Sequence, residues 1–332
     1  MTAEAFGDLR PLLFAIAYRM LGSVSEAEDI VQEAFLRYHR VVTGQAGGER
    51  PPESPKAYLS AVTTRLCIDH ARSARVRRET YVGEWLPEPL LTAGGGPGTA
   101  VAAGTSLTAG DPAELAERSD TLSMAFLLLL ERLSPVERAV FLLHDVFGYG
   151  YDEIAPIVGR GSDACRQLAY RARQHVAEGQ RRFEAPAAHG AELASQFFAA
   201  MAAGDVDGLV AMLATDAVLT GDSGGARPSW PRPIAGADRA GRVLAALGRE
   251  LAEVGGSVRV TEVNGQPGAL FLDASGALIS VMALDQDGDQ ITAVHSVLSR
   301  EKLRHLGPLA DIPALLAQTS RPGRVAGRPG PR

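Results

Sequence analysis

The sequence predicts a multidomain protein, two all-α domains followed by a C-terminal α+β domain. Apolar residues recur at intervals of three and four from about residue 8 to 80 and again from 111 to 184, the spacing of amphipathic helices. Between these tracts lies a run of low charge that contains six glycines, TAGGGPGTAVAAGTSLTAGDP. Beyond Pro186 the texture changes, and SVRVTEVNG, GALFLDASG, LISVMALDQDG and QITAVHSVLS follow one another across NG, SG and DGD turns, the pattern of antiparallel hairpins. At 332 residues the chain exceeds what one hydrophobic core organises.

Composition narrows the class. With 46% hydrophobic and 22% charged residues the chain can build cores and stay in solution. The start, MTAEAFGDLRPLLF, carries Glu4 and Asp8 and no basic leader, so no secretory signal is expected. The longest strongly apolar stretch, Met124 to Leu130, falls far short of the roughly 20 residues that span a bilayer. No membrane partner and a cytoplasmic location are expected. Cys67 and Cys165 sit inside amphipathic patterns with no second thiol or histidine at ligand spacing, so neither a metal site nor a cofactor is expected.

The formal net charge is −6, yet nucleic-acid binding depends on local patches. Between Arg65 and Arg78 five arginines stand against Asp69, a local +4. From Arg160 to Arg182 six arginines face Asp163 and Glu178, again +4.

The first domain offers a helix from Ser25 to Arg40, opened by a capping box of Ser25 and Glu28 and striped by Ala27, Ile30, Val31, Ala34, Phe35 and Tyr38. Its other face aligns Glu26, Asp29 and Glu33, a ridge suited to a basic partner. A long helix, YLSAVTTRLCIDHARSARVRRE, then carries the first arginine patch. The glycine-rich run reads as a flexible linker; its roughly 21 residues could reach about 70 Å when stretched.

In the second domain Tyr151 to Gln174 offers a short helix, a GRG turn and a second helix opening at Ser162 with Asp163 in its first turn. That is helix-turn-helix spacing. Cys165, Leu168, Ala169, Ala172 and Val176 form the inward stripe. Arg166, Gln167, Tyr170, Arg171, Arg173 and Gln174 are left outward, types that read base edges and neutralise phosphates. Pro156 interrupts the first of the two helices.

The segments SEAEDIVQEAFLRYHR, SPKAYLSAVTTRLCIDHARSARVRRE and SPVERAVFLLHDVFGYGYDEIAPIVGRGSDACRQLAYRARQHV resemble regions two and four of the extracytoplasmic-function sigma factors. The resemblance implies core RNA polymerase and promoter DNA as partners. Glu26, Asp29, Gln32 and Glu33 would dock on the clamp helices of the polymerase's largest subunit, and region four would meet its flap. Arg65, Asp69, His70, Arg72, Arg75 and Arg77 would contact and help melt the downstream promoter element. Capture of a flipped base there falls to Tyr58, Arg65, Asp69 or His70. Ser162, Asp163, Arg166, Gln167, Arg171 and Arg173 would read the upstream element.

A shorter run, Trp85-Leu86-Pro87-Glu88-Pro89-Leu90, is similar to the WLPEPL signature of sigma factors that carry a fused SnoaL-like domain. Its two prolines favour a stiff, extended segment that can lie in a groove. Asp222-Ser223-Gly224-Gly225-Ala226, Val263-Asn264-Gly265 and Ser299-Arg300-Glu301-Lys302-Leu303 stand where that subgroup has DGGGK, VNG and NPDKL. The first and last depart from the pattern, and the loop lysine is missing. The resemblance implies a sigma region 2 helical domain at 5–80, the WLPEPL segment and linker at 81–112, and a region 4 helix-turn-helix at 113–185. A SnoaL-like cone at 190–306 and a disordered tail at 307–332 would complete the chain. Trp85, Leu86, Pro87, Glu88, Pro89 and Leu90, with Asp222, Gly224 and Gly225, would make an intramolecular regulatory contact.

SnoaL-like cones also serve as isomerases, so Asp222, Asp273 and His295 are the groups available for proton transfer. A single cone histidine on a strand reads as a wall residue, and no catalytic residue is assigned. Two other classes compete: a DNA-binding regulator acting without polymerase, and a ligand-sensing or enzymatic cone with a helical appendage.

Overall fold

The computed structural model describes residues 3–45, 51–79, 81, 83–92, 121–180, 187–225 and 232–319. Helices α1 (Ala3–Leu21), α2 (Val24–Val42) and α3 (Pro55–Glu79) form the first module. They pack through Leu13, Ile16, Tyr18, Ile30, Val31, Leu59 and Cys67. Helix α2 starts two residues earlier than the capping pattern implied. Ser23 is its N-cap, with Oγ accepting from the Glu26 amide at 3.2 Å, and Glu28 pairs instead with Arg10 at 3.1 Å.

The second module holds α4 (Met124–Leu130), α5 (Pro135–Phe141), α6 (Tyr151–Val158) and α7 (Ser162–Gln180). A π-helical turn, Leu142–Val146, extends α5. Ser134 and Glu137 cap α5 reciprocally, satisfying two amides that a helix start leaves open. Pro156 is accommodated within α6; in so short a helix its missing amide forfeits one bond to the first turn.

The two modules do not stand apart as loosely tethered bodies. One continuous hydrophobic cluster runs from Leu13 to Val176 and includes residues of both. The reason is that α3 is apolar on more than one side, so one of its faces remains to be covered by α5 and α6. Polar anchors fix the contact: Tyr149 Oη donates to Ser60 Oγ at 2.8 Å, and buried Arg138 donates to the Met20 carbonyl at 2.5 Å and to Glu131 at 2.6 Å. Of the glycine-rich linker, Leu91 and Thr92 pair with the C-terminal sheet, while 93–112 lies outside the described residues.

The C-terminal part begins with α8 (Ala187–Ala203) and α9 (Val206–Met212). Strands β1 (Leu213–Asp222) and β2 (Ile234–Ala235), helix α10 (Ala237–Glu253) and strands β3 (Ser257–Val263), β4 (Gln266–Leu272), β5 (Leu278–Asp287) and β6 (Gln290–Val297) follow. Sheet order is β2-β1-β6-β5-β4-β3. All neighbours are antiparallel except β1 and β6, which run parallel with Thr220 opposite His295 and Asp222 opposite Val297. The sheet is therefore mixed, and β1 is a strand that the hairpin reading did not include. No Gly or Pro separates β1 from the helix before it, so the change of period is hidden in one apolar run.

Both sheet faces are covered. Leu219, Phe271, Met282, Leu284 and Val294 pack under Phe197, Phe198 and Leu244 of the helices. Leu270, Val281, Ala283 and Val297 on the other face meet Leu86 and Met124. The expected disordered tail is corrected over 307–319. Helix α11 (Arg300–Leu303) and a 3-10 turn (Arg304–Leu306) lead to α12 (Ile312–Thr319). On the way, main-chain bonds of 2.8 and 2.9 Å tie Pro308 and Ala310 to Leu278. The apolar side chains of this stretch have sheet surface left to cover, which keeps it folded back. Residues 320–332 lie outside the described residues.

Candidate nucleic-acid and polymerase interfaces

Helix α7 is set by the turn before it. Gly159, at φ 66°, ends α6 in the left-handed conformation, which an L side chain resists. Ser162 Oγ donates to Asp152 on α6 at 2.6 Å, so it fastens the two helices together. Cys165, Ala169, Ala172 and Val176 are buried as the stripe requires, and burial holds both cysteine thiols above their ordinary pKa. Asp163, Arg166, Gln167, Tyr170, Arg171 and Arg173 are exposed.

The exposed arginines fall into two groups. Arg171 lies 3.3 Å from Glu137, and Arg173 donates to Asp145 at 2.6 Å and to Tyr151 Oη at 3.2 Å. The Asp145 bond raises the Arg173 pKa still further. Arg166 pairs with Asp163 one turn back and stands over the Tyr151 ring. Exposed pairs of this kind are worth about 0–1 kcal/mol, so each is exchangeable for a phosphate.

Helix α3 presents Arg65, Asp69, Arg72 and, half-buried, His70. Arg65 is engaged: Nε and Nη2 donate to the carbonyls of Ile157 and Pro156 at 3.1 and 2.7 Å, at the last turn of α6. A cation at a helix C-terminus is well placed for the unpaired carbonyls and the dipole. Arg72 pairs with Asp69 at 3.3 Å, and His70 lies 2.9 Å from Glu26 on α2. Arg75 and Arg77 belong to α3, but their side chains lie outside the described residues. Tyr58 rests against Tyr38 with ring centroids 5.8 Å apart.

On α2, Asp29 and Gln32 are exposed, and half-buried Glu33 pairs with Arg37 at 2.7 Å. Leu36, 41% exposed, extends the same ridge. Sequence reasoning passed over it; an apolar residue outside the buried stripe of an amphipathic helix is the signal that marks it.

The 85–90 segment forms a strap, buried from Leu86 to Leu90 between the first module and the sheet. Glu88 carries its contact with the first module. Its carboxylate accepts from Ser23 Oγ at 2.7 Å and from the Val24 amide at 2.8 Å, at the start of α2. Its amide donates to the Gly22 carbonyl at 2.8 Å, and its carbonyl accepts from Tyr18 Oη at 2.6 Å. Gly22, at φ 67°, has no Cβ because the Trp85 ring occupies that space.

The sheet side grips the strap at three points. Asp222 accepts from the Leu86 amide at 2.8 Å, from Tyr81 Oη at 2.5 Å and from Lys302 Nζ at 2.6 Å. Lys302 also donates to the Leu86 carbonyl at 2.6 Å and stands 4.4 Å above the Trp85 ring. Asn264 accepts from the Leu90 amide at 2.9 Å. His305 Nε2 lies 2.9 Å from the Pro89 carbonyl. Burial and the Asp222 bond push the Tyr81 phenol up, so it stays protonated as the donor. Of the three loop residues expected here, Asp222 makes the contact directly, Gly224 supports it with an amide bond of 3.0 Å to Asp222, and Gly225 is exposed at the tip. Ala226 and Arg227 lie outside the described residues. Lys302, Asn264 and His305 were not singled out in the sequence, although the VNG turn and the lysine before Leu303 were visible there.

Models for Sigma-70 region 2 and Sigma-70 region 4 match residues 5–77 and 123–176. The ECF RNA polymerase sigma factor SigJ of Mycobacterium tuberculosis is 38% identical over 272 residues, 81% of this chain and 80% of that protein. The chain is an ECF RNA polymerase sigma factor. A second relative of this sigma factor, the probable ECF RNA polymerase sigma factor SigI of the same species, is 34% identical over 294 residues, 89% of the chain and 92% of the relative. The crystal structure of SigJ aligns with a TM-score of 0.70 at 31% identity, covering 93% of the sigma factor and 100% of that chain. Sigma factors bind core RNA polymerase and promoter DNA, which separates this chain from a regulator acting without polymerase.

In this sigma factor the three acid–base candidates do not meet inside the cone. Asp222 and His295 lie on the sheet face turned to the strap and α4, by their register with Val297 and Ala283. Asp273 belongs to the turn after β4, where Ser275 and neighbouring amides lower its pKa. His295 Nε2 lies 2.7 Å from Asp285, which also accepts from Gln266 at 2.6 Å. Gln266 in turn accepts from the Met124 amide at 2.8 Å, at the first turn of α4. The histidine is thus part of the join to region 4. Among the described residues no group of three or more His, Cys, Asp or Glu is placed to hold a metal ion, and no helix is long and apolar enough to cross a membrane.

Proposed function

We propose that this sigma factor directs core polymerase to its promoters in an open form, and that its C-terminal domain, acting without catalysis, holds a closed form in cis. The burial of Leu86–Leu90 between region 2 and the sheet carries the reading. One short segment is gripped from both sides, so the domain has a handle on region 2. Arg65 supports it further, because a side chain assigned to downstream DNA is occupied by α6 carbonyls. With both modules in one cluster, they must part before each can reach its own stretch of promoter.

In the open form Asp29, Gln32 and Glu33, with Leu36 beside them, dock on the clamp helices, and region 4 meets the flap. Arg166 and Gln167 on the outward face of α7 read the upstream element, while Arg171 and Arg173 exchange their carboxylate partners for phosphates. Arg65, Arg72, Arg75 and Arg77 serve the downstream element. The partners place this activity in the cytoplasm.

Transcription reconstituted with core polymerase tests this, comparing the full chain with Lys302→Met and Asn264→Gly. Several-fold more transcript from the mapped start is expected from both variants. Equal output from all three proteins removes the regulatory role, and failure to associate with core polymerase removes the initiation role.

A further inference from the structure

Between α10, the helix-covered face of the sheet and α12 lies a cavity of about 330 Å³. Its walls are mostly apolar: Val243, Ala246 and Leu247 of α10, Phe271 and Met282 of the sheet, and Leu315 of α12. An apolar void of about 150 Å³ holds one benzene molecule, so this one has room for a fused two-ring skeleton. The close-packed interior expected of a purely structural domain does not leave such a space.

Two polar features define what could enter. Ser280 and Ser296 flank Met282 on the cavity face, by the pairings of Met282 with Ser296 and of Phe271 with Ser280. Ser296 is 1% exposed, and its hydroxyl has no hydrogen-bond partner among the described residues. A buried hydroxyl without a partner costs stability and is unusual in a finished core. The ionisable residue of the lining is Glu250, exposed at the rim, which disfavours anions.

The roof is lightly held. Ile312, Leu315 and Leu316 are only half-buried. Among the described residues, the main-chain bonds from this stretch to the sheet are those of Pro308 and Ala310, on the near side of α12. Gly221 and Ser223 line the cavity on either side of Asp222, so the cavity and the strap contact share the end of one strand.

We propose that this cavity is a binding site for a small, neutral, largely apolar molecule of about two fused rings that bears one hydrogen-bonding oxygen, received by Ser296 beneath α12. The site lies on the sheet face opposite the strap and does not depend on how the strap acts.

The neutral fluorophore N-phenyl-1-naphthylamine, titrated into the full chain and displaced by α-tetralone or by tetralin, tests the proposal. Saturable binding of one fluorophore per chain is expected, with displacement by both competitors. Ser296→Ala should weaken α-tetralone about tenfold, the size of one hydrogen bond, and leave tetralin unchanged. Ala246→Trp, which fills the cavity, should abolish binding; Ala246→Phe serves if the tryptophan variant does not fold by circular dichroism. No saturable binding, or binding indifferent to the filling variant that folds, overturns the site. Equal losses of both competitors in Ser296→Ala overturn the role of the hydroxyl.

Discussion

Tyr18 and Asn264 are separated by 246 positions in the sequence, yet the Asn264 amide donates to the Tyr18 hydroxyl at 2.7 Å. Asn264 also donates to the Leu122 carbonyl at 3.0 Å and accepts from the Leu90 amide at 2.9 Å. One fully buried side chain thus joins α1, the entry to region 4 and the strap. Burial pushes the Tyr18 phenol above its ordinary pKa, which keeps its proton for the Glu88 carbonyl.

Asn264→Gly should destabilise the chain by about 3 kcal/mol, since the Leu90 amide and the Leu122 carbonyl are left buried without this partner. Asn264 sits at φ 54°, a conformation that asparagine and glycine tolerate better than alanine. Asn264→Ala should therefore cost about 1 kcal/mol more than the glycine variant. Urea unfolding of the two variants side by side separates the side-chain loss from the backbone strain, and equal midpoints would refute the strain.

Lys302→Met keeps the apolar stem but strands the buried Asp222 carboxylate, and should cost about 3–5 kcal/mol. Adding Asp222→Asn to it should recover part of that loss, because the uncompensated charge is then gone. The double-mutant cycle read by thermal melting measures the coupling. Additive losses would show that the pair acts as two independent residues. A shift in Trp85 emission should accompany the single variant, since Lys302 stands over that ring.

Glu137 should make region 4 sensitive to acid. Burial works against its charge, but bonds from the Ser134 hydroxyl and amide and the nearby Arg171 outweigh it and lower its pKa below 4.5. A carboxyl whose folded pKa is depressed contributes stability that is complete above its ordinary value and is lost as pH falls through the folded one. Glu137→Gln should thus lower the melting temperature at pH 7 and make progressively less difference below pH 4.5. A gap between the two proteins that did not change with pH would contradict this.

Gly248→Ala should destabilise the cone in spite of alanine's better helix propensity. A Cβ at Gly248 would collide with the main-chain oxygen of Met201 where α10 crosses α8. Backbone cannot move aside as a flexible side chain can, so about 3 kcal/mol is expected against a propensity gain of about 1. Gly7, with open space around it, is the control at which the same change should do no harm.

Much of the candidate recognition surface was legible because it follows periodicity. Cys165, Ala169, Ala172 and Val176 recur at three and four, and the outward placement of Arg166 and Gln167 follows from that alone. What stayed hidden were contacts between elements far apart in the chain. Arg65 reads as a DNA-facing cation, and nothing in its neighbourhood says that α6 carbonyls will receive it. Asn264 and Lys302 stand in the segments matched to VNG and NPDKL and His305 in a plain local context, and what each of them holds appears only when the sheet lies over the strap. His295 reads as a wall residue on its strand and is buried against Asp285, but which sheet face it occupies depends on a register that β1 and its parallel pairing help to set.

The strap is bound by residues of its own chain, and that sets how the closed form answers to dosage. An inhibitor supplied as a separate protein is titrated away when its target is overproduced. Asn264 and Lys302 are made in equal number with the Leu90 and Leu86 they hold, so the proposed ratio of open to closed molecules, before polymerase binds, would be independent of how much protein a cell makes. In unbound protein, more gene product multiplies both proposed forms together, and their proportion then answers to the affinity of the grip and to capture of the open form by polymerase.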